Sequence, residues 1–466
     1  MSKHEYGSLS IADPHPAGLN AGQRLGLALG IIGVGVMGLS LFDIGNGSSW
    51  MLWVSIASML SAGVVYGIAA YMDKPEGIKN HGIWFDGLSA RGLVGWSMGV
   101  ILTAFYVALY WFPSALGLGQ DGSINTGLVA LFDPLSQLVK GQPASQWFVY
   151  GTLYTISILT LGVKFILKYR HNRYQRIRTY VVMFSQLVLA YAIPEILEGL
   201  NTEAPYFDKD LKNMWPLNYD FFSAWHLDNM TASGNYGMVF LLTGIFMFLV
   251  FTPIITYFVG KRWYCSWVCG CGGLAETAGD DFRHLSSKKL SAWRLERWLI
   301  HTVMVLVFLM TIATLYGYFT GKSEFLGMDI YNTYQKPYGF VIGAMFSGVI
   351  GVGFYPLLGS RVWCRFGCPL AGYMGIIQRF KSRFRITTNG GQCISCGNCS
   401  TYCEQGIDVR WYAQRGQNIV RASCVGCGIC SAVCPRGVLK LENGPEEGRV
   451  TDDPIIIGHD GPRLRL

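Results

Sequence analysis

Long apolar segments recur along the first three quarters of the chain, and short polar links separate them. A segment of about 20 apolar residues is long enough to cross the hydrocarbon core of a bilayer as an α-helix. The pattern predicts eight such spans, at residues 25–43, 50–71, 93–112, 147–167, 179–198, 236–258, 298–318 and 338–358. The sequence therefore predicts an α-helical polytopic membrane protein of about eight spans.

Basic residues are concentrated in the links on one side of the predicted bundle. The links after the second, fourth and sixth segments carry fifteen Lys and Arg residues, and the links on the other side carry five. Because cytoplasmic loops carry the excess of Lys and Arg, we expect both termini in the cytoplasm and a multi-pass protein of the cell's inner membrane. These loops account for the net charge of +8, so membrane lipid and not nucleic acid is the expected partner.

Changes in composition divide the chain into six parts. Only 14% of all residues are charged, and the polar character becomes that of a soluble domain only near residue 375. The expected parts are a cytoplasmic N-terminal segment (1–22), a first bundle of five spans (23–198), an external aromatic and acidic loop (199–235), three further spans (236–375), a cysteine-rich domain (376–443) and a tail (444–466).

Eight cysteines near the C-terminus repeat one spacing twice. Each run reads C-x2-C-x2-C-x3-C, and Pro435 follows the second run. This spacing is typical of bacterial ferredoxins, in which the fourth cysteine of each run binds the cluster of the other run. It predicts an α+β ferredoxin-like domain with two [4Fe–4S] clusters. Cluster one is assigned to Cys393, Cys396, Cys399 and Cys434, and cluster two to Cys424, Cys427, Cys430 and Cys403.

The metal that these runs bind and one departure from the motif both bear on the prediction. Paired C-x2-C motifs also bind zinc, but zinc does not account for two runs of four cysteines with the same final x3 step. Glu404 stands in the first run where Pro435 stands in the second. This departure removes no ligand, and we expect it to change the turn or the potential of one cluster.

The other five cysteines follow the sixth and eighth apolar segments. Residues 260–269 and 359–368 both read G-x-R-x-x-C-x-x-x-C, so the two pairs of spans before them look like a duplicated unit. Duplicated membrane units often form sites at their interface. The sequence predicts that four cysteines, called here the hairpin cysteines, meet there, with Cys271 as a spare thiol. They are Cys265, Cys269, Cys364 and Cys368.

Several roles are open for the hairpin cysteines. Four thiolates could hold a third iron–sulfur centre or another metal, with Arg262 and Arg361 offsetting their charge. Alternatively, they are buried structural thiols, or thiols that handle copper or undergo redox chemistry.

A quinol site would need ionisable groups near a membrane edge. Glu195 and Glu198 end the fifth predicted span, and His226 lies in the loop that follows. Acidic residues within membrane segments are candidates for function, although carboxylates close to the interface are also tolerated without one. These three residues are therefore candidates for binding a quinol.

On these motifs, residues 236–440 resemble the polyferredoxin membrane proteins of the NosR and NapH type, and more distantly those of the CcoG type. One departure is Gly270, where that family usually has the proline seen at Pro369. The resemblance implies electron transfer between a quinone, a flavin or a soluble donor and a respiratory reductase, as in nitrogen-oxide respiration.

We therefore expect an electron-transfer subunit of an oxidoreductase system, with other redox proteins as partners, more than a stand-alone enzyme. The alternatives are a copper-reducing or metal-handling assembly factor and a redox-sensing regulator.

Overall fold

A computed structural model describes most of the chain. The described residues are 18–45, 48–72, 92–119, 123–200, 216–218 and 221–443, with the backbone of two short strands, β5 (Ile455–Ile456) and β6 (Arg463–Leu464). Most of the N-terminal segment 1–22, nearly half of the external loop 199–235 and most of the tail 444–466 lie outside the described residues.

Within the described residues, seven helices are long and apolar enough to cross a membrane. They are α1 (Ala21–Ser40), α2 (Ser49–Tyr71), α3 (Leu93–Trp111), α5 (Gln146–Lys168), α6 (Arg173–Leu200), α8 (Gly234–Val259) and α11 (Leu290–Thr320). Only 17% of the most apolar part of α8 is buried within the protein, and its exposed side chains suit contact with lipid. The prediction of a polytopic α-helical membrane protein is confirmed.

The predicted eighth span, residues 338–358, is not among these helices. Its helix α12 is continuous through three pieces, a π-helix (Ile330–Gln335), an α-helical turn (Lys336–Tyr338) and a second π-helix (Gly339–Ile350), and turns separate it from the short helix α13 (Tyr355–Leu358). In this region Gly348 and Gly353 lie in close contact with Tyr106 and Thr103 of α3. The described residues contain seven helices with the length and composition of a span, one fewer than the sequence predicted.

Shorter elements complete the membrane part. They are α4 (Gly127–Lys140), α7 (Ala224–Ala232), α9 (Arg262–Cys265), α10 (Gly270–Thr277), the hairpin of β1 (Glu324–Phe325) and β2 (Met328–Asp329), α14 (Val362–Phe366) and α15 (Pro369–Phe380). Small residues let the first spans pack closely, since Gly26 of α1 lies against Tyr66 and Gly63 of α2 lies against Thr160.

The two hairpin motifs have the same backbone conformation. Gly260 donates to Thr256 O at 2.9 Å, and Gly359 donates to Tyr355 O at 3.1 Å. The next cysteine in each motif also makes an equivalent bond. The amide of Cys269 donates to Tyr264 O at 2.8 Å, and that of Cys368 donates to Trp363 O at 2.9 Å. The duplication read from the sequence is therefore also present in the fold.

The ferredoxin-like domain is small and packs around an antiparallel strand pair. Strand β3 (Phe384–Thr388) pairs with β4 (Leu439–Asn443), and between them lie the short helices α16 (Asn398–Thr401), α17 (Val409–Gln414) and α18 (Ile429–Ala432). Helices α16 and α18 each follow a glycine with positive φ, Gly397 and Gly428, within a cysteine run. The domain has the predicted α+β composition.

The equivalent glycines Gly260 and Gly359 should tolerate no side chain. Gly260 has φ 70° and ψ 179°, and Gly359 has φ 92° and ψ 168°, a conformation that costs an L residue about 1–3 kcal/mol. A methyl group on Gly260 would also lie 2.7 Å from Gln378 Oε1, and one on Gly359 would lie 2.8 Å from the Ser286 nitrogen. Gly260→Ala and Gly359→Ala should therefore both lower the melting temperature of the purified protein.

Gly321→Ala is the matched control for these variants. Gly321 also has a positive φ, 67°, but a methyl group there meets nothing within 4 Å. If the control melted as early as Gly260→Ala, the close contacts of the hairpin motif would have no part in the effect.

Candidate functional site

The eight cysteines of the ferredoxin-like domain lie in two groups. One group lines a cavity, and its members are Cys393, Cys396, Cys399 and Cys434. The other group surrounds Cys430, whose thiol interacts electrostatically with the thiols around it. Its members are Cys403, Cys424, Cys427 and Cys430. Each group combines three cysteines of one run with the fourth of the other run, as in ferredoxins with two clusters.

Several of these thiols are too buried to lose their protons easily without a metal. Burial and the neighbouring thiols raise the pKa of Cys399 to about 12, and burial raises the pKa of Cys424 to about 11. Four buried thiols can become thiolates together only when bound cations compensate their charge, and metal binding releases the protons. The donor set fits an iron–sulfur cluster, which would accept and release electrons there; ligation by each cysteine stays a prediction.

The structure also brings the hairpin cysteines together. Cys265 and Cys364 are buried, at 4% and 8% exposure. Burial, with the thiols of Cys269 and Cys364 nearby, raises the pKa of Cys265 to about 12, and Cys368 interacts with the same three residues. The four residues therefore converge from two equivalent loops.

The spacing of these donors bears on what they could bind. Across the described ranges, no three His, Cys, Asp or Glu side chains are close enough to hold one metal ion. Thiolates that each bind a different iron of one cluster lie farther apart than the ligands of a single ion. A metal centre on the hairpin cysteines stays a prediction.

The two equivalent arginines of the motifs have different roles. Arg361 is buried, and its Nη1 donates to Cys265 O at 3.2 Å and lies 3.6 Å from the Sγ of Cys364. Arg262 instead stacks on the rings of Trp267 and Phe384, at 5.5 and 4.8 Å. The expected compensation of thiolate charge applies to Arg361, whereas Arg262 holds the ferredoxin-like domain through Phe384.

The loop with Cys269 and Cys271 packs against the middle of α5 and α6. A methyl group on Gly270 would lie 2.7 Å from both Tyr154 and Gln186, and these residues lie in the middle of α5 and α6. The Gln186 amide donates to Val268 O at 2.6 Å. Irregular backbone at membrane depth is tolerated when it is buried in protein and hydrogen-bonded in this way.

Glu404 connects the ferredoxin-like domain to the second hairpin motif and to the turn after α10. Its carboxylate accepts a hydrogen bond from Arg283 Nη1 at 2.6 Å and forms an ion pair with Arg361 Nη2 at 3.0 Å, and all three side chains are 0% exposed. Burial alone would raise the pKa of Glu404, but the guanidinium groups of Arg283, Arg361 and Arg178 outweigh it and hold the pKa below its ordinary value. The carboxylate is therefore charged and paired.

The same ion-pair network continues into the membrane spans. Glu276, on α10, accepts Arg361 at 2.6 Å and also pairs with Arg178 of α6. The following turn carries two further acids that pair with α5. Asp280 pairs with Lys168 and Arg283, each at 2.6 Å, and Asp281 pairs with Lys164. One network thus joins α5, α6, both hairpin motifs and the ferredoxin-like domain.

Backbone contacts hold the loop of the second cysteine group against the membrane part. Ser266, between two hairpin cysteines, donates to Val425 O at 2.8 Å. From α6, Gln175 donates to Cys427 O at 2.8 Å, and from α15, Gln378 donates to Cys424 O at 2.7 Å. Cys396 of the other group is exposed. The second group therefore lies close to the hairpin motifs, and the first group reaches the protein surface.

The candidate quinol residues have other partners in the structure. Glu195 and Glu198 pair with Lys140 at 3.3 and 3.6 Å, and the Lys140 side chain is buried. His226 is buried and packs against Phe221 and Trp225. These contacts give the two carboxylates a structural reason to be present, and a quinol role for the three residues stays a prediction.

Comparison with known proteins agrees with this organisation. The family model of a 4Fe-4S binding domain matches residues 240–291 and 339–387, and each of these ranges contains one hairpin motif. The model of a 4Fe-4S dicluster domain matches residues 392–439. The chain is a 4Fe–4S ferredoxin-domain membrane protein.

One curated relative is "Putative electron transport protein YccM" of Escherichia coli K12. It is 28% identical over 173 residues, which cover 35% of this chain and 47% of the relative. The chain thus matches about half of that relative's length. No solved structure matches the chain.

Sequence reasoning did not find the role of Glu404. The signal was present, since an acidic residue replaced the proline of the motif, but its partners lie 121 and 43 residues away in the chain. Glu404→Gln should destabilise the protein by roughly 1–3 kcal/mol, because two buried arginines each lose one carboxylate partner and keep the other, Asp280 or Glu276. Thermal unfolding and iron per chain after purification would measure this loss.

Glu442→Gln is the matched control. The Glu442 carboxylate accepts one hydrogen bond, from Thr387 at 2.6 Å, and it is only partly buried. An unchanged melting temperature and iron content in Glu404→Gln would refute the role given to the network.

Proposed function

We propose that this protein carries electrons along a path from the surface of its ferredoxin-like domain into the membrane. The path runs from cluster one, near exposed Cys396, to cluster two, and from there to a third iron–sulfur centre on the hairpin cysteines. The observation that carries the proposal is the bond from Ser266 to Val425, because it places the loop of cluster two directly on the hairpin motif.

The donor and the acceptor are part of the same proposal. With the ferredoxin-like domain in the cytoplasm, as the charge of the links favours, electrons pass between a quinone, a flavin or a soluble donor and a respiratory reductase. Nitrogen-oxide respiration is the proposed setting, and its support is the resemblance to NosR- and NapH-type proteins.

A copper-reducing or metal-handling role is the second candidate, and one observation favours it. Cys271 hydrogen-bonds the thiol of Cys269 and lowers the pKa of Cys269 to about 6. A thiol with such a pKa is largely thiolate at neutral pH and is therefore a ready metal ligand or nucleophile.

Iron and acid-labile sulfide per chain, measured on anaerobically purified protein, would separate the two candidates. Two cubanes hold about eight iron atoms, and a third cluster adds up to about four. We expect more than eight in the wild type, and a fall to about eight in Cys265→Ser/Cys364→Ser, with loss of one EPR signal after reduction.

Cys271→Ser is the control for this measurement and should keep the iron content of the wild type. About eight iron atoms in both the wild type and the double variant would exclude the third centre. Copper that co-purifies with the wild type and is lost in Cys269→Ser would then favour metal handling.

A further inference from the structure

A cavity of about 820 Å³ lies between α11, α15 and the ferredoxin-like domain. One wall is apolar and is formed by Ile300, Met304, Ile376 and Phe380. Among the described residues that line the cavity, six are basic and Glu296 is the only acidic one. The basic residues are Lys261, Arg297, Arg365, Arg379, Arg385 and Arg421.

Two of these basic side chains have donor atoms without a close acceptor among the described residues. Glu296 pairs with Arg365 at 2.7 Å, yet Arg365 Nη2 has no hydrogen-bond partner although the residue is only 4% exposed. Lys261 is 2% exposed, and its Nζ makes a long contact of 3.5 Å with Ala371 O. Because buried charges are costly without a counter-charge, an anion in this cavity would be strongly stabilised.

The basic residues come from both sides of the boundary between the two parts of the protein. Arg297 belongs to α11 and Arg421 to the ferredoxin-like domain, and both stack on Trp293, at 5.3 and 4.7 Å. Stacking leaves the edges of a guanidinium group able to donate, and such groups bind phosphate oxygens in pairs. One phosphate group could thus be held by both parts at once.

We propose that this cavity binds an anionic phospholipid, with its phosphate among the arginines and an acyl chain along the apolar wall. The proposal rests on the cytoplasmic orientation given under Proposed function, since basic pockets between helices on that side take anionic headgroups. A quinone has an uncharged head and would leave the basic residues uncompensated. Free phosphate would leave the apolar wall without a partner. The bound lipid would join the ferredoxin-like domain to the bilayer.

The test compares the full-length protein in nanodiscs of phosphatidylcholine alone and of phosphatidylcholine with phosphatidylglycerol. We expect a higher melting temperature with phosphatidylglycerol, and one retained anionic lipid per chain by native mass spectrometry after transfer to detergent. Arg297→Gln should bind that lipid roughly fivefold more weakly, the effect of about one basic residue at an anionic surface. Arg294→Gln, on the same helix but outside the cavity, should behave as the wild type.

Each other outcome overturns the proposal. A stabilisation that Arg297→Gln and Arg294→Gln share equally would be a general effect of surface charge. The same shift with inorganic phosphate in phosphatidylcholine nanodiscs would assign the cavity to a free anion, and a retained quinone lost in Arg297→Gln would assign it to a quinone. A reporter fused to the C-terminus tests the orientation separately, so that its failure is distinguishable from failure of the site.

Discussion

The carboxylate of Glu404, buried between Arg283 and Arg361, is the interaction on which the arrangement of the redox groups depends. A buried charge is tolerated only when it is paired and hydrogen-bonded. All three side chains are 0% exposed, so water could not replace a partner that moved away, and Asp280 and Glu276 complete the pairing of the two arginines. Because one arginine belongs to a hairpin motif and the carboxylate follows Cys403, this requirement fixes the ferredoxin-like domain on the membrane part.

The network also sets the electrostatic surroundings of the path. It contains five basic side chains and four acidic ones: Lys164, Lys168, Arg178, Arg283 and Arg361, with Glu276, Asp280, Asp281 and Glu404. Thiolate-bound clusters are anionic, and each electron adds negative charge. Potentials of such clusters respond to nearby charge and hydrogen bonding. In the proposed path, the positive charge of Arg361 beside Cys364 would therefore favour the reduced state of a centre on the hairpin cysteines.

The sequence predicted the features that depend on regular spacing. Long apolar runs located seven spans, although the fifth and seventh helices begin six and eight residues before their predicted starts. The two cysteine runs predicted the two groups found in the ferredoxin-like domain, and the duplicated motif predicted that Cys265 and Cys364 meet. Features that depend on contacts between distant residues were missed, such as the packing of the loop at Gly270 against Tyr154 and Gln186. No local pattern contains that information.

Departures from the repeated motifs mark the places where the two halves of the duplication meet different neighbours. Gly270 replaces the proline seen at Pro369, and any side chain there would collide with Tyr154 and Gln186. Glu404 replaces the proline seen at Pro435, and it binds the arginines of the membrane part. Arg262 and Arg361 occupy equivalent positions, yet one packs on Phe384 and the other contacts Cys364. The backbone conformation that the two motifs share positions the cysteines. The residues that differ between the motifs contact the neighbouring parts of the protein. In a duplicated redox protein of this kind, the residues that break the repeat are therefore those that hold its parts together.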